Sequence, residues 1–368
     1  MNIQNKYSQL GSVELFTFTY CSAVTIGFMF LPYISQEEIR SAYFKVMAAV
    51  IPYLLLIFLW KKVVDKHQER DMFSLLKKNS KSWIYYPVIL YFIGSCLYSL
   101  LFIVKSLIII VQTYMMQDTE QWIIGIAFLI TVGASALYGI HAISRMIVVI
   151  YFHEILLVIT LIGFLFSEDF RWVNIPPYLG VDVLTFMKSS LSEVTRYGGI
   201  VTVFAFLPLV KKDVKVFKPI IISLLSIMAT YVLICITTLG VFGYDQALTL
   251  LSPVTALMQT TTSPTGLFER LDLFFLTVWV MSFFKIGLIF IWFTATLCKQ
   301  IVPVKPKREW IYITLVSSII VILMLITPSI TSFDWRPYNL NMLSVSLMVP
   351  FLILLYLKFR KKKGVGET

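Results

Sequence analysis

The chain has 368 residues, 58% of them hydrophobic and 14% charged, with a formal net charge of +11 and a mean hydropathy of +0.83. That balance is too apolar and too poor in charge for a water-soluble protein, and no stretch is left over to build a sizeable soluble domain. The basic excess does not point to nucleic acid, because the lysines and arginines sit in short segments between apolar runs rather than in one stripe interleaved with aromatic residues.

Apolar stretches of about 20 residues, the length a helix needs to cross a hydrocarbon core, recur from one end to the other. Window hydrophobicity and flanking charge predict spans at 12–34, 41–60, 87–114, 121–140 and 143–166, then at 188–210, 218–243, 270–298, 309–328 and 338–357. The first follows a tail with one lysine, Lys6, and ends in Leu31-Pro32 without an A-x-A-like cleavage site, so it reads as a retained helix rather than a signal peptide. Only Tyr138-Gly139-Ile140-His141 separates the fourth from the fifth. The expected fold is an all-α integral membrane protein, one permease-like domain of about ten transmembrane helices. Cys21, Cys96, Cys235 and Cys298 lie inside or at the ends of these spans and read as small buried hydrophobes, not as a disulfide framework or metal site.

With the amino terminus inside, the inner segments carry 22 of the 31 cationic residues and the outer segments with their flanks five. Cationic loops resist translocation, so both termini are expected on the cytoplasmic side. The tail Lys358-Phe359-Arg360-Lys361-Lys362-Lys363 then sits just inside the membrane and reads as a stop-transfer anchor rather than a site of specific lipid recognition.

Phe28-Met29-Phe30-Leu31-Pro32 near the end of the first span and Phe204-Ala205-Phe206-Leu207-Pro208 near the end of the sixth share the pattern F-x-F-L-P. Five spans separate the starts of these helices, so they run in opposite directions, as an inverted repeat demands. Repeat one covers about 12–166 and repeat two about 188–357. In this register Cys21-Ser22-Ala23 matches Tyr197-Gly198-Gly199, and small residues at mid-helix weaken the helix and let it break where it lines a cavity. The backbone exposed by breaks at Ser22–Gly27 and Gly198–Val203 would bind a small polar metabolite without any charged side chain. Gly94, Tyr98 and Phe102 on the third span, at spacing four, and Phe283, Phe284 and Gly287 on the eighth complete the expected ligand site, although the third-span set, unless the repeat geometry is granted, reads first as an ordinary apolar helix face.

No motif for zinc or nucleotide hydrolysis is present, only three histidines occur, and no catalytic residue, cofactor or metal is expected. The deepest ionisable residues are Lys285 in the eighth span and His153-Glu154 in the fifth. A charge at that depth must be paired or hydrated, so one reading is that Glu154 and Lys285 meet and Lys285 supplies a fixed positive charge in the bundle. The others are a purely structural pair, or hydrated residues that never meet. Glu193 and Arg196 are one turn apart and can pair locally.

These residues resemble one family, the membrane B subunits of spore germinant receptors, the endospore germination permeases. The resemblance spans nearly the whole chain and rests on Gly27-Phe28-Met29-Phe30-Leu31-Pro32, on Gly198-Gly199 followed by Phe206-Leu207-Pro208, and on Phe268-Glu269-Arg270-Leu271-Asp272 leading to Trp279. It implies the five-plus-five fold of the amino acid, polyamine and organocation permeases, with first and sixth helices broken. It implies a nutrient germinant, an amino acid or similar, bound between the first, third, sixth and eighth helices, A and C subunits as partners, and the spore inner membrane as location. Carried over by position, Thr25, Ile26 and Gly27 fall at the first-helix break, with Thr25 where relatives often have a second small residue. The competing readings are a secondary amino acid transporter of the same fold and a channel-forming subunit without a ligand of its own. The outer segment 244–268 reads as either a lid over the site or an inert loop.

Overall fold

The computed structural model describes residues 10–31, 41–176, 182–247, 249–250, 252–259, 271–303, 308–327 and 335–360, and only the backbone of 25–30, 259, 271–276 and 335. The expected motif residues 268–270, residues 248, 251 and 260–268 of the 244–268 segment and the tail 361–363 lie outside them. The chain order is α1 (Ser12–Phe30), α2 (Ala42–Ala49), α3 (Ile51–His67), α4 (Met72–Asn79), α5 (Ser82–Tyr114), α6 (Gln121–Ala136), α7 (Gly139–Phe164) and α8 (Val183–Val194). A 3-10 helix at Thr195–Thr202 follows, then α9 (Val203–Phe206), α10 (Phe217–Ala247), α11 (Pro253–Gln259), α12 (Leu271–Ile301), α13 (Trp310–Ile326), α14 (Trp335–Leu343), a π turn at Ser344–Met348, and α15 (Val349–Phe359). Among the described residues there is no strand, only a single parallel bridge between Leu10 and Val210.

Among the described residues six helical stretches are long and apolar enough to cross a membrane: Ala42–His67, Ser82–Tyr114, Gly139–Phe164, Phe217–Ala247, Thr277–Ile301 and Arg336–Phe359. Two shorter apolar helices, Gln121–Ala136 and Trp310–Ile326, pack against each other. That packing is close because α6 offers Gly125 to the Met324 side chain and Gly133 to Ser317 of α13. The outward face of α7 carries Val149, Phe152, Leu156 and Ile159, each more than half exposed. Their spacing of three and four makes one apolar stripe, which suits lipid and not water.

Where the helices change direction or type, the sequence supplies the cause. Pro52, the second residue of α3, has no N–H to continue the ladder from α2, so a new helix begins after Val50. Pro350 likewise cannot donate to the carbonyl four residues back, that of Ser346, and the turn Ser344–Met348 widens to π geometry just before it. Gly243 adopts φ 71°, which a side chain would resist, and kinks α10 near its end. The eight-residue 3-10 run at Thr195–Thr202 is long for that geometry and contains the weak α-helix formers Gly198 and Gly199.

Aromatic side chains fill the centre. Phe18 of α1 stacks on Phe206 of α9 at 3.9 Å between ring centroids, and both meet the edge of Trp292 of α12. Trp60 of α3 packs on Phe204 at 4.1 Å. The F-x-F pair of the sixth expected span thus ties the chain after the 3-10 helix to α1, α3 and α12.

Candidate functional site

The 3-10 helix and α1 touch backbone to backbone. A Cβ built on Gly199 would fall on the carbonyl of Ser22 and lie 3.1 Å from the Ala23 Cα. Glycine is required here for close approach rather than for a turn. Gly198, one residue earlier, faces the other way, towards the π turn: a Cβ there meets the flexible end of Met342 and lies 3.2 Å from Ser346 Oγ. The two glycines therefore sit between a rigid backbone on one side and a deformable side chain on the other.

Side-chain hydroxyls satisfy the backbone around this contact. Tyr231 of α10, fully buried, donates to the Ala23 carbonyl at 2.8 Å, with the Arg196 carbonyl 3.2 Å away. Tyr197 donates to the Val46 carbonyl at 2.8 Å. Ser346 gives its hydroxyl hydrogen to the Met342 carbonyl at 2.6 Å, so Tyr53 is the donor in their 2.6 Å hydrogen bond. The rings of Tyr53, Tyr197 and Tyr231 follow one another at 6.0 and 5.4 Å and form a buried ladder behind the glycines. Replacing Tyr231 by phenylalanine removes a side-chain donor shared by two carbonyls in a dry setting. The expected loss is about 1–2 kcal/mol of stability, read as a lower thermal transition of the purified protein.

One helix layer away lies a charged centre. The Lys285 ammonium of α12 forms an ion pair with Glu154 Oε1 of α7, and both side chains are sealed from solvent. Ser282 Oγ donates to the same oxygen at 2.9 Å, and Cys21 Sγ of α1 approaches Oε2 at 3.5 Å. Glu154 thus accepts from α1 and α12 together, one residue before Ser22. Tyr20, adjacent in sequence, shares a 2.9 Å hydrogen bond with Thr230 of α10 and packs its ring on Tyr151 of α7 at 5.1 Å.

The structure distributes the expected site residues unevenly. Ser22 is buried, with its hydroxyl turned back to the Thr19 carbonyl at 2.9 Å. Thr25, Ile26 and Gly27 lie on backbone that stays helical, since α1 runs without interruption from Ser12 to Phe30. The expected first-helix break is therefore not seen, and the small residues before it serve close packing instead. On the sixth span the departure from α geometry is a tightening into 3-10, not an extended gap. Phe102 of α5 is buried and stacks on Tyr338 of α14 at 4.1 Å, whereas Tyr98 and Gly94 lie on the exposed stripe of the same helix. Phe283 is buried and Phe284 half-buried. Gly287 faces Phe128 and Val132 of α6, and two residues round a helix is 200°, so it lies on the far side of α12 from Lys285. Buried Glu193 pairs with the partly buried Arg196 at the junction of α8 with the 3-10 helix.

Sequence reasoning missed Tyr231, Tyr53, Met342 and Ser346. A buried tyrosine in the middle of an apolar span is a usable signal, since its hydroxyl must find a partner; nothing in the sequence says which.

Comparison with known proteins settles the lineage. The model of the family described as spore germination protein matches residues 9–333. The chain belongs to that family. Its relatives include spore germination protein A2 of Bacillus subtilis (strain 168), 25% identical over 263 residues, 71% of each chain. Another is spore germination protein YndE of the same organism, 21% identical over 249 residues, 67% of each chain. As a spore germination protein with several helices long enough to span a bilayer, the chain is a multi-pass membrane protein. The matched region contains α1, the 3-10 helix, Glu154 and Lys285, and it ends before α14 and the π turn that meets Gly198.

Proposed function

We propose that this protein is the membrane-embedded B subunit of a spore germinant receptor, which binds an amino acid or similar nutrient near the membrane midplane and triggers germination. In this reading the helices form two inverted repeats of five, both termini are cytoplasmic, and A and C subunits are partners in the spore inner membrane. The observation that carries it is the close backbone contact of Ser22 with Gly199, which joins the two segments that this reading pairs across the repeats. A ligand entering there trades helix–helix backbone contact for its own hydrogen bonds, and so has different affinities for the closed and parted states. The Glu154 network supports the same reading, because it holds α1 to α7 and α12 beside that contact, with the Lys285 ammonium as its positive charge.

The alternative, a secondary amino acid transporter, uses the same site and differs only in turnover, since both gates must then open in sequence. Proteoliposomes containing the purified chain, offered radiolabelled amino acids, divide the two. A sensor retains no more label than empty vesicles even for a ligand that binds. Saturable, time-dependent accumulation would contradict the proposal and establish transport.

A further inference from the structure

A groove of about 1110 Å³ opens at the end of the molecule that carries Leu10, between the last turns of α3, the connection to α4, and the segment from Pro208 to Lys218. Four lysines line it: Lys61 on α3, Lys212 and Lys215 in the connecting segment, and Lys218 on α10. All four are exposed. Among the described residues none of their side chains has an ion-pair or hydrogen-bond partner.

The other charges of the groove are engaged in building it. The Arg70 guanidinium donates to the carbonyls of Lys211 and Lys212 at 2.8 Å each and of Val214 at 3.1 Å, fixing the connecting segment. Asp71 caps α4 through the amides of Phe73 and Ser74. Glu69 is held by Lys78 at 2.7 Å. What remains is four lysines against Asp65 and Asp213, over a partly buried apolar floor of Val64, Val216 and Phe217.

We infer that this groove binds the headgroup of an anionic phospholipid. Its walls are the ends of two membrane-crossing stretches, Ala42–His67 and Phe217–Ala247, so Lys61 and Lys218 stand at the level where hydrocarbon gives way to headgroups. Lysines at that level attract anionic lipid. Beyond the groove α3 exposes Leu55 and Phe58 and α10 exposes Ile221, Ile222 and Leu225, which suits a molecule with an acyl end as well as a phosphate. The wall of the groove is also joined to the site helices. Leu10 N–H donates to the Leu209 carbonyl at 3.3 Å, and Lys211 N–H to the Leu10 carbonyl at 3.0 Å, which binds the approach to α1 to the chain leaving α9. A lipid seated here therefore braces the two segments whose backbones meet at Ser22 and Gly199.

The test is titration of the full-length chain, purified in an uncharged detergent, with phosphatidylglycerol, reading bound lipid by native mass spectrometry and the thermal transition in parallel. Substituting Lys212→Gln and Lys215→Gln, both exposed and away from the core, is expected to weaken phosphatidylglycerol binding about fivefold per lysine, equivalent to about 1 kcal/mol each. The tail variant Lys358→Gln with Arg360→Gln keeps wild-type affinity. Phosphatidylcholine and inorganic phosphate give no stabilisation. Equal phosphatidylglycerol affinity in wild type and both groove variants would overturn the inference. So would stabilisation by inorganic phosphate alone, or displacement of the lipid by polyglutamate, which would make the groove a site for free anions or for an acidic protein segment.

Discussion

Replacing Gly199 by alanine is expected to destabilise the folded protein by about 3 kcal/mol or more, the upper part of the range for forced overpacking. The added methyl lands on the Ser22 carbonyl, and no rotamer change relieves a clash with backbone. Either α1 and the 3-10 helix move apart, losing the Tyr231 bridge between them, or the chain fails to assemble. Two controls separate this from a general cost of removing glycine: Gly94 and Gly163 have open space where a Cβ would go, and alanine at either is expected to leave the thermal transition within a degree or raise it. Gly198→Ala falls between, because the obstruction is the end of the flexible Met342 side chain. Fluorescence-detected size-exclusion chromatography after graded heating measures all four, and a stable Gly199→Ala protein would show that the close approach is dispensable.

The second large effect concerns Glu154 and Lys285. Removing one partner leaves the other charge buried and unpaired, so Lys285→Met is expected to cost about 3–5 kcal/mol, and Glu154→Met a similar amount. Removing both takes the stranded charge away, and apolar replacement of a buried pair is often neutral. The double variant should therefore recover most of the loss, short of the remainder left by Ser282 and Cys21, which keep donors without their acceptor. A double variant as unstable as the sum of the singles would mean the two residues do not act as a pair in the membrane.

The helices were largely legible in the sequence because lipid imposes a simple demand on composition over a fixed length. Their ends were less so. The second expected span stops at residue 60, yet α3 continues to His67, because Lys66 reaches the carbonyls of Lys358 and Arg360 and Val63 is buried. Those are contacts at nearly 300 residues' separation, and hydropathy carries no trace of them. At the candidate site, Ser22, Gly198 and Gly199 stood out as small residues in matching register, which flags a weak point in a helix but not what becomes of it. The chain resolves one as continuous α helix and the other as 3-10, a choice made by partners. Tyr231 supplies the hydroxyl from 208 residues away from Ala23, and the segment around the widened turn sets Met342 and Ser346 against Gly198. Gly287 shows the opposite failure: closeness to Lys285 in sequence suggested a shared site, while helix geometry turns it to α6.

The most direct measurement is a thermal-shift scan of the purified full-length chain against amino acids, sugars and nucleosides, repeated with Gly198→Leu, a change that crowds Met342 and Ser346 without touching the Ser22 contact. The account predicts that an amino acid or a closely similar nutrient stabilises the wild-type protein, that the shift disappears in Gly198→Leu, and that Gly163→Ala retains it. A folded wild-type protein that responds to none of these compounds would contradict a nutrient site at the meeting of α1 with the 3-10 helix, and a shift unchanged by leucine at 198 would contradict a site that reaches the Gly198 face of that helix.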